Sequence, residues 1–238
     1  GAGSIWVAMS ERGIVSRINE KTHTVQQTIT TRGGPSALAV GAGFVWVADT
    51  PDGTVSRIDP RANGGQIVGN PIRVGNAPSG IAYGLRAVWV ANSIDSTVMR
   101  IDPVTGTAGP PISVEGGADG IAVGDDSVWV IGQSDGVLSR IDPVARTVAG
   151  TTSINEPAAV AVGPGAVWVA SAADGTVTKI DPSSGHPEGS FPAGKQPSGV
   201  AVGPDGHVWV ASAGSAMLTE LDPVTGQSIR AVSTGPPP

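Results

Sequence analysis

The 238-residue chain has no cysteine, one tyrosine, two phenylalanines and three histidines. Without cysteine there is no disulfide framework, no thiolate metal site and no thiol nucleophile. Basic residues number 14 against 20 acidic ones and form no cluster, which argues against a nucleic-acid partner. No apolar run approaches the roughly 18 residues of a membrane-spanning helix, so we expect no membrane insertion by this domain.

Tryptophan is the aromatic residue that the chain does use, and its six copies stand at one position of a repeated phrase. The spacing between successive copies is 40, 43, 40, 39 and 41 residues. A period near 40 built from short strand-like segments is typical of a β-propeller with one four-stranded blade per repeat. We therefore predict an all-β, six-bladed β-propeller and one domain, 1–238. The tryptophans and the repeat units are Trp6, Trp46, Trp89, Trp129, Trp168 and Trp209, in units of about 1–34, 35–77, 78–117, 118–156, 157–196 and 197–238.

Each repeat contains four strand candidates, which we call A to D from the inside of the blade outward. In the second repeat they are Ser36–Val40, Phe44–Ala48, Thr54–Ile58 and Gln66–Val74, each short and rich in β-branched residues. Asp-Gly pairs such as Asp52–Gly53 supply the positive φ of a tight B–C hairpin. Asp-Pro pairs open the C–D turns, where proline presets φ and the aspartate bonds the following backbone.

The first repeat has no A strand, because residues 1–3 match Gly41–Gly43, which follow an A strand in the second repeat. We therefore predict a first blade that lacks its inner strand. At the other end, residues 235–237 match Gly34–Pro35, where a seventh A strand would begin. We expect the parent protein to continue beyond one or both ends.

The phrase Pro-Ser-Gly-Val-Ala-Val-Gly-Pro-Asp-Gly-His-Val-Trp-Val-Ala at 197–211 is similar to the repeats of streptogramin B lyase-like propellers and of NHL-type propellers. Propellers of this kind also serve as extracellular sensor domains of bacterial receptor serine/threonine kinases. The resemblance covers the whole chain, but its motif is structural and shared by many functions. Two departures stand out: NHL repeats begin strand C with Asn and Arg where this chain has Gly-Thr-Val, and lyase repeats follow the tryptophan with Phe-Thr-Glu where it has Val-Ala.

Resemblance to the lyases implies His and Glu side chains with Mg²⁺ at the mouth of a central channel. By strand order, however, His23 and His186 fall in C–D turns and His207 falls in an A–B turn. We therefore expect no convergence of the histidines on a channel mouth, and we assign no catalytic residue.

Candidate binding residues are those that depart from the repeat in the D–A and B–C loops. These loops contain nine acidic residues and three basic ones, so we expect an acidic face that favours a cationic ligand, a divalent ion or a basic protein segment. Solvated polar loops without a ligand are the alternative, as is a packing role for Tyr83. The ligand-binding residues that we predict at the channel mouth are Asp119, Glu156, Asp49, Arg32, Lys195, Glu115 and Tyr83.

The sequence favours a non-catalytic sensor or interaction domain of a larger bacterial protein, extracellular or at the cell surface. We expect a small cationic ligand or a protein segment as partner, a monomeric state and no cofactor. A divalent cation in the channel is an alternative that the sequence does not exclude. A metal-dependent lyase-type enzyme and a scaffold that self-assembles through the open edge of the first blade are the alternatives. The tryptophans and the row of basic residues on strand C are interpreted as inter-blade packing and a solvated row.

Overall fold

The computed structural model describes residue 1, residues 3–62 and residues 65–235. Within these residues the chain forms antiparallel strands and two single-turn 3₁₀ segments, Ser10–Arg12 and Ala213–Ser215. No helix among them has the length and apolar character that crossing a membrane would require. The predicted start of a seventh A strand falls on residues 235–237, of which the last two lie outside the described residues.

Six antiparallel sheets follow one another along the chain, and each corresponds to one predicted blade. Their strands are, in sheet 1, β1 (Ile5–Met9), β2 (Ile14–Ile18) and β3 (Val25–Thr30); in sheet 2, β4 (Pro35–Gly41), β5 (Phe44–Asp49), β6 (Thr54–Asp59), β7 (Gln66–Ile67) and β8 (Ile72–Arg73); in sheet 3, β9 (Pro78–Gly84), β10 (Ala87–Asn92), β11 (Thr97–Ile101) and β12 (Ile112–Ser113); in sheet 4, β13 (Gly120–Gly124), β14 (Ser127–Gly132), β15 (Val137–Asp142) and β16 (Thr147–Ser153); in sheet 5, β17 (Pro157–Gly163), β18 (Ala166–Ser171), β19 (Thr176–Ile180) and β20 (Pro187–Pro192); in sheet 6, β21 (Pro197–Val202), β22 (Val208–Ser212), β23 (Met217–Leu221) and β24 (Ser228–Ser233).

Sheet 1 has three strands in the order β1-β2-β3, so the first blade lacks its inner strand, as predicted. The strand predicted at Gln66–Val74 is wrong as a single element. It is divided into β7 and β8, which pair with opposite ends of β6. Pro71, just before β8, has no N–H to donate to the ladder, which accounts for the break.

The chain divides into two compact units, Gly1–Ser113 with sheets 1 to 3 and Val114–Pro238 with sheets 4 to 6. Within each unit the core lies between consecutive sheets. In the first unit Trp46 and Val55 of sheet 2 pack with Val88 and Val90 of sheet 3. In the second unit, Trp168 of sheet 5 packs with Val208 and Val210 of sheet 6.

Register sets the same residue pairs in every blade, because the tryptophan of strand B always faces the same position of strand C. Trp46 pairs with Arg57 and Trp168 with Lys179, and Ala39 and Ala161 are their small partners on strand A. Four of the six tryptophans are essentially fully buried. The tryptophans are therefore packing residues of the blades.

Candidate functional site

At one end of each of sheets 2 to 6, the D–A loop that precedes the inner strand lies against the B–C turn of the same sheet. We call this end the loop face of the sheet. In sheet 3, Asp95 of the B–C turn accepts two hydrogen bonds of 2.8 Å from Asn76 of the D–A loop, one from the backbone N–H and one from the side-chain amide. These bonds lower the pKa of Asp95. In sheet 5, the Asn155 amide donates to Asp174 at 2.8 Å in the same way. The loop face is therefore held by side chains of the B–C turns.

The predicted binding residues are divided between the two units: Arg32, Asp49 and Tyr83 lie in the first, and Glu115, Asp119, Glu156 and Lys195 lie in the second. Arg32 and Glu115 are exposed in D–A loops. Tyr83 lies near the end of β9 that leads into the A–B turn, at the opposite end of its sheet from the loop face. Its ring occupies the space beside Gly41, where a Cβ atom would stand 2.0 Å from Cγ of the tyrosine. This contact gives Tyr83 a packing role.

Asp49 ends strand β5 and is fully buried. Its Oδ2 accepts a 2.9 Å hydrogen bond from the Ser56 hydroxyl, while its Oδ1 is buried without a hydrogen-bond partner. Burial raises the pKa of Asp49, since desolvation penalises the charged carboxylate, and the Ser56 hydrogen bond only partly opposes this. At the matching position of sheet 5, the Ser171 hydroxyl donates to the Asn155 carbonyl at 2.5 Å. Position 49 thus lies inside the blade, where it contacts protein groups.

Asp119 directly precedes strand β13 and is half-buried. Its Oδ2 accepts a 2.8 Å hydrogen bond from the backbone N–H of Gln133, in the B–C turn of the same sheet. The carboxylate therefore connects the D–A loop of sheet 4 to its B–C turn. Its second oxygen has no hydrogen bond among the described residues and remains available to a ligand.

Two adjoining grooves run along the loop face of the second unit. The smaller, about 370 Å³, is lined by Gln133, Ser134, Glu156, Pro157, Ala158 and Ala172. The larger, about 710 Å³, is lined by Ala172, Ala173, Asp174, Gly175, Pro192, Gly194, Lys195, Gln196 and Gly214. Ala172 lines both grooves, so they form one continuous depression.

The structure thus brings together two of the predicted residues, Glu156 and Lys195, at neighbouring grooves. Asp119 is hydrogen-bonded to the backbone of Gln133, which lines the smaller groove. Sequence reasoning assigned Asp174 to turn chemistry and did not select Gln196. Both line the larger groove. The sequence could have indicated both residues as groove-lining by their position in the repeat, because Asp174 stands in a B–C turn and Gln196 directly precedes an inner strand.

Glu156 and Gln196 have left-handed backbone, with φ of 42° and 50°, directly before the prolines that begin β17 and β21. Their carbonyls each accept a 3.0 Å hydrogen bond from the facing B–C turn, at Ala172 and Ala213. Ala77 has the same φ sign and the same bond in sheet 3, so this geometry belongs to the blade connection. Because the backbone is fixed, the two side chains leave the loop in a defined direction.

The three histidines lie where strand order places them. His23 lies between β2 and β3, His186 between β19 and β20, and His207 between β21 and β22. All three turns are at the end of their own sheet opposite its loop face. A Mg²⁺ site with His and Glu ligands, which the lyase resemblance implies, therefore does not fit the described residues of the loop face, and we derive no catalytic step through such an ion.

Comparison with known proteins identifies the fold. No protein-family model matches the chain, and no curated protein sequence matches it. Solved structures do. The virginiamycin B lyase from Staphylococcus aureus, solved as a catalytically inactive form with quinupristin, has a TM-score of 0.84 at 17% identity over 98% of this chain and 81% of its own. The hydrazine synthase of Kuenenia stuttgartiensis has a TM-score of 0.82 at 19% identity, and the match covers 98% of this chain and 84% of that one. A streptogramin B lyase has a TM-score of 0.76 at 18% identity, and the match covers 89% of this chain and 74% of that one. The chain therefore has the streptogramin lyase-like β-propeller fold, with the six sheets as its blades.

Proposed function

We propose that the chain is a non-catalytic recognition domain that binds its ligand on the loop face of the second unit. The observation that carries this proposal is the continuous depression through Ala172, with Glu156 on one side and Asp174 and Lys195 on the other. Loops on a rigid scaffold are the usual place for binding residues in a repeat fold. We place the domain in a larger bacterial protein, as an extracellular or cell-surface sensor or interaction part.

The charges of the depression indicate the chemistry of the ligand. Glu156 and Asp174 are exposed carboxylates, and no described residue pairs with the Glu156 side chain. Lys195 is exposed beside them and has no ion pair among the described residues. A basic protein segment fits this arrangement, because its cationic side chain can approach Glu156 while its backbone carbonyl accepts from Lys195. A small polyamine would use the carboxylates only.

Catalysis by this face would have to use a carboxylate such as Glu156 as its base, because the described residues of the face include no histidine. None of the three histidines belongs to a loop-face turn, and Asp119 and Asp174 are already hydrogen-bonded to loop groups. A general base must lie within hydrogen-bond reach of the proton that it removes. Lyase-type chemistry is the alternative function, because two of the structurally similar proteins are lyases by name.

Isothermal titration of the purified domain with an oligolysine peptide and with spermine tests the proposal. We expect binding to weaken at least tenfold in Glu156→Gln and to weaken as salt rises, since exposed charge pairs are screened. Glu20→Gln is the matched control, because it removes the same charge from an exposed C–D turn of sheet 1. Equal affinity in Glu156→Gln and wild type would place the ligand elsewhere, and turnover of a streptogramin B substrate would favour the lyase alternative.

Self-assembly is a second candidate, favoured by the edge of β1. That strand pairs with β2 alone among the described residues, whereas β5, β10, β14, β18 and β22 each have strands on both sides. Ile5 on β1 is 46% exposed. An unpaired edge can add a strand from another chain. Light scattering across a concentration series tests this, and a constant monomer mass would count against it.

A further inference from the structure

Sheet 6 departs from the repeat at three places that meet in space. Its A–B loop, between β21 and β22, has five residues against two in each of sheets 2 to 5, and the longer loop contains Asp205. His207 stands at the end of this loop, where the matching residues of sheets 2 to 5 are Phe44, Ala87, Ser127 and Ala166. The third departure is Glu220 on β23.

Glu220 occupies the position where the other sheets have a basic residue. It pairs in register with Trp209, whereas the partners of the other five tryptophans are Arg17, Arg57, Arg100, Arg140 and Lys179. The cation over Trp209 comes instead from Arg230 of β24, whose guanidinium lies 5.1 Å from the ring centre. Arg230 also donates through Nε to Oε2 of Glu220. Arg230 thus takes over the stacking role and allows a carboxylate at position 220.

The three side chains present their ligand atoms to one another. Nδ1 of His207 lies 2.7 Å from Oε1 of Glu220 and 3.6 Å from Oδ2 of Asp205, and all three ligand atoms lie within 4.8 Å of one another. Metal–ligand bonds of about 2.0–2.2 Å place neighbouring ligands of one Zn²⁺ roughly 3–3.5 Å apart, so small side-chain adjustments suffice.

We propose that Asp205, His207 and Glu220 form a binding site for a divalent transition-metal ion, with Zn²⁺ as the best fit. One imidazole nitrogen and two carboxylate oxygens are ligands that zinc accepts, while magnesium prefers oxygen alone. The exposed Asp205 leaves one side open to water ligands, and Glu220 anchors the ion from inside, with only 6% of its side chain exposed.

Contacts around the cluster orient its members in the way that outer-shell groups orient metal ligands. The His207 backbone N–H donates to Oδ1 of Asp205 at 3.1 Å, which leaves Oδ2 facing the imidazole. Arg230 occupies only Oε2 of Glu220, so that Oε1 remains directed at His207. Such partners contribute measurably to metal affinity in known sites. The site is at the A–B end of sheet 6, opposite the loop face of that sheet, and is independent of the proposed ligand depression.

The test is titration of the chelator-treated domain with Zn²⁺ and, separately, with Mg²⁺. We expect one Zn²⁺ per chain, no comparable Mg²⁺ binding, and at least tenfold weaker Zn²⁺ binding in His207→Ala and in Asp205→Asn. Asp205→Asn changes an exposed turn, so it retains the fold even where loss of the His207–Glu220 contact would not. His186→Ala removes a histidine from an exposed C–D turn of the same unit and serves as the matched control.

Two results would overturn the proposal. One is the absence of Zn²⁺ binding at millimolar ion in a domain whose circular dichroism shows native β-structure. The other is an equal loss of affinity in His186→Ala and His207→Ala, which would mean that zinc binds to surface histidines without a defined site.

Discussion

The indole N–H of Trp46 donates a 3.0 Å hydrogen bond to the carbonyl of Gly41, at the end of the adjoining inner strand. Trp89 makes the same contact with Gly84 at 3.3 Å, and Trp6 makes it with Gly1 at 3.3 Å. In these three blades the tryptophan thus joins strand B to the start of its A–B turn. In sheet 1, Gly1 takes the place of the glycine that ends a complete inner strand.

This contact predicts that Trp46→Phe destabilises the domain by about 1–3 kcal/mol. The substitution removes the hydrogen bond, leaves the Gly41 carbonyl without that donor, and shortens a fully buried ring. Chemical denaturation measures the loss. Trp6→Phe is the comparison, because Trp6 is only half-buried and should lose less. Equal losses at the two positions would show that burial does not decide the cost.

Strand order and register could be predicted from the sequence because the same strand and turn pattern recurs around all six tryptophans. The A, B and C strands of the second repeat differ from their predicted bounds by one residue at most at each end. Strand D could not be predicted as well. It faces solvent and tolerates prolines, so Pro71 divides it in sheet 2, and β12 of sheet 3 has only two residues after Pro110 and Pro111.

For the candidate site, the sequence indicated which residues depart from the repeat, but not which of them are buried. Departures from the repeat selected Glu156 and Lys195, which line the grooves of the second unit. The same filter also selected Asp49, which is buried, because a strand-end residue can turn either toward solvent or into the blade. The contact between His207 and Glu220 was not predicted, since these residues are 13 positions apart and His207 lies in a loop while Glu220 lies on β23.

Gly41 and Tyr83 are coupled by a contact between neighbouring inner strands. A Cβ atom at Gly41 would stand 2.0 Å from Cγ of Tyr83, whereas at Gly163 it would stand 3.0 Å from Val202. Gly41→Ala should therefore cost about 1–3 kcal/mol through overpacking. The double variant Gly41→Ala, Tyr83→Ala should recover part of this loss. Thermal or urea unfolding of the four proteins in a double-mutant cycle checks it, and additive losses would contradict direct contact.

Asp49→Asn should stabilise the domain at pH 7 by about 1 kcal/mol or more, because it removes a buried charge. Burial raises the folded-state pKa of Asp49, so the folded chain holds the proton more tightly than the unfolded chain. The wild type is therefore most stable, with respect to this group, below the unfolded value of about 3.9 and loses stability as pH rises through the raised pKa. The stability gained by the substitution should shrink in acid.

Asn92 shows that the blade accepts an amide at this position. It ends β10 in the same register as Asp49 ends β5, facing Thr97 where Asp49 faces Thr54, and it is equally buried. Urea unfolding at several pH values measures the difference between Asp49→Asn and wild type. A gain that stays constant from acid to neutral pH would mean that ionisation of Asp49 is not the cause.

His207 and Glu220 predict a pH window for the stability of sheet 6 in metal-free buffer. The hydrogen bond to Glu220 raises the pKa of His207, and the same bond lowers the pKa of Glu220. For the histidine, the stabilisation is complete below the unfolded value of about 6.5 and is lost as pH rises through its raised folded value. For the glutamate, it is complete above about 4.3 and is lost as pH falls through its lowered value.

The stability lost in His207→Ala should therefore be greatest between about pH 4.5 and 6.5 and smaller on both sides of that range. Unfolding monitored by tryptophan fluorescence, with chelator present, gives the difference from wild type at each pH. His186→Ala should show no such maximum, since His186 has no carboxylate partner among the described residues. A loss in His207→Ala that does not vary with pH would assign the contact to packing, because an ion pair must disappear when either of its members loses its charge.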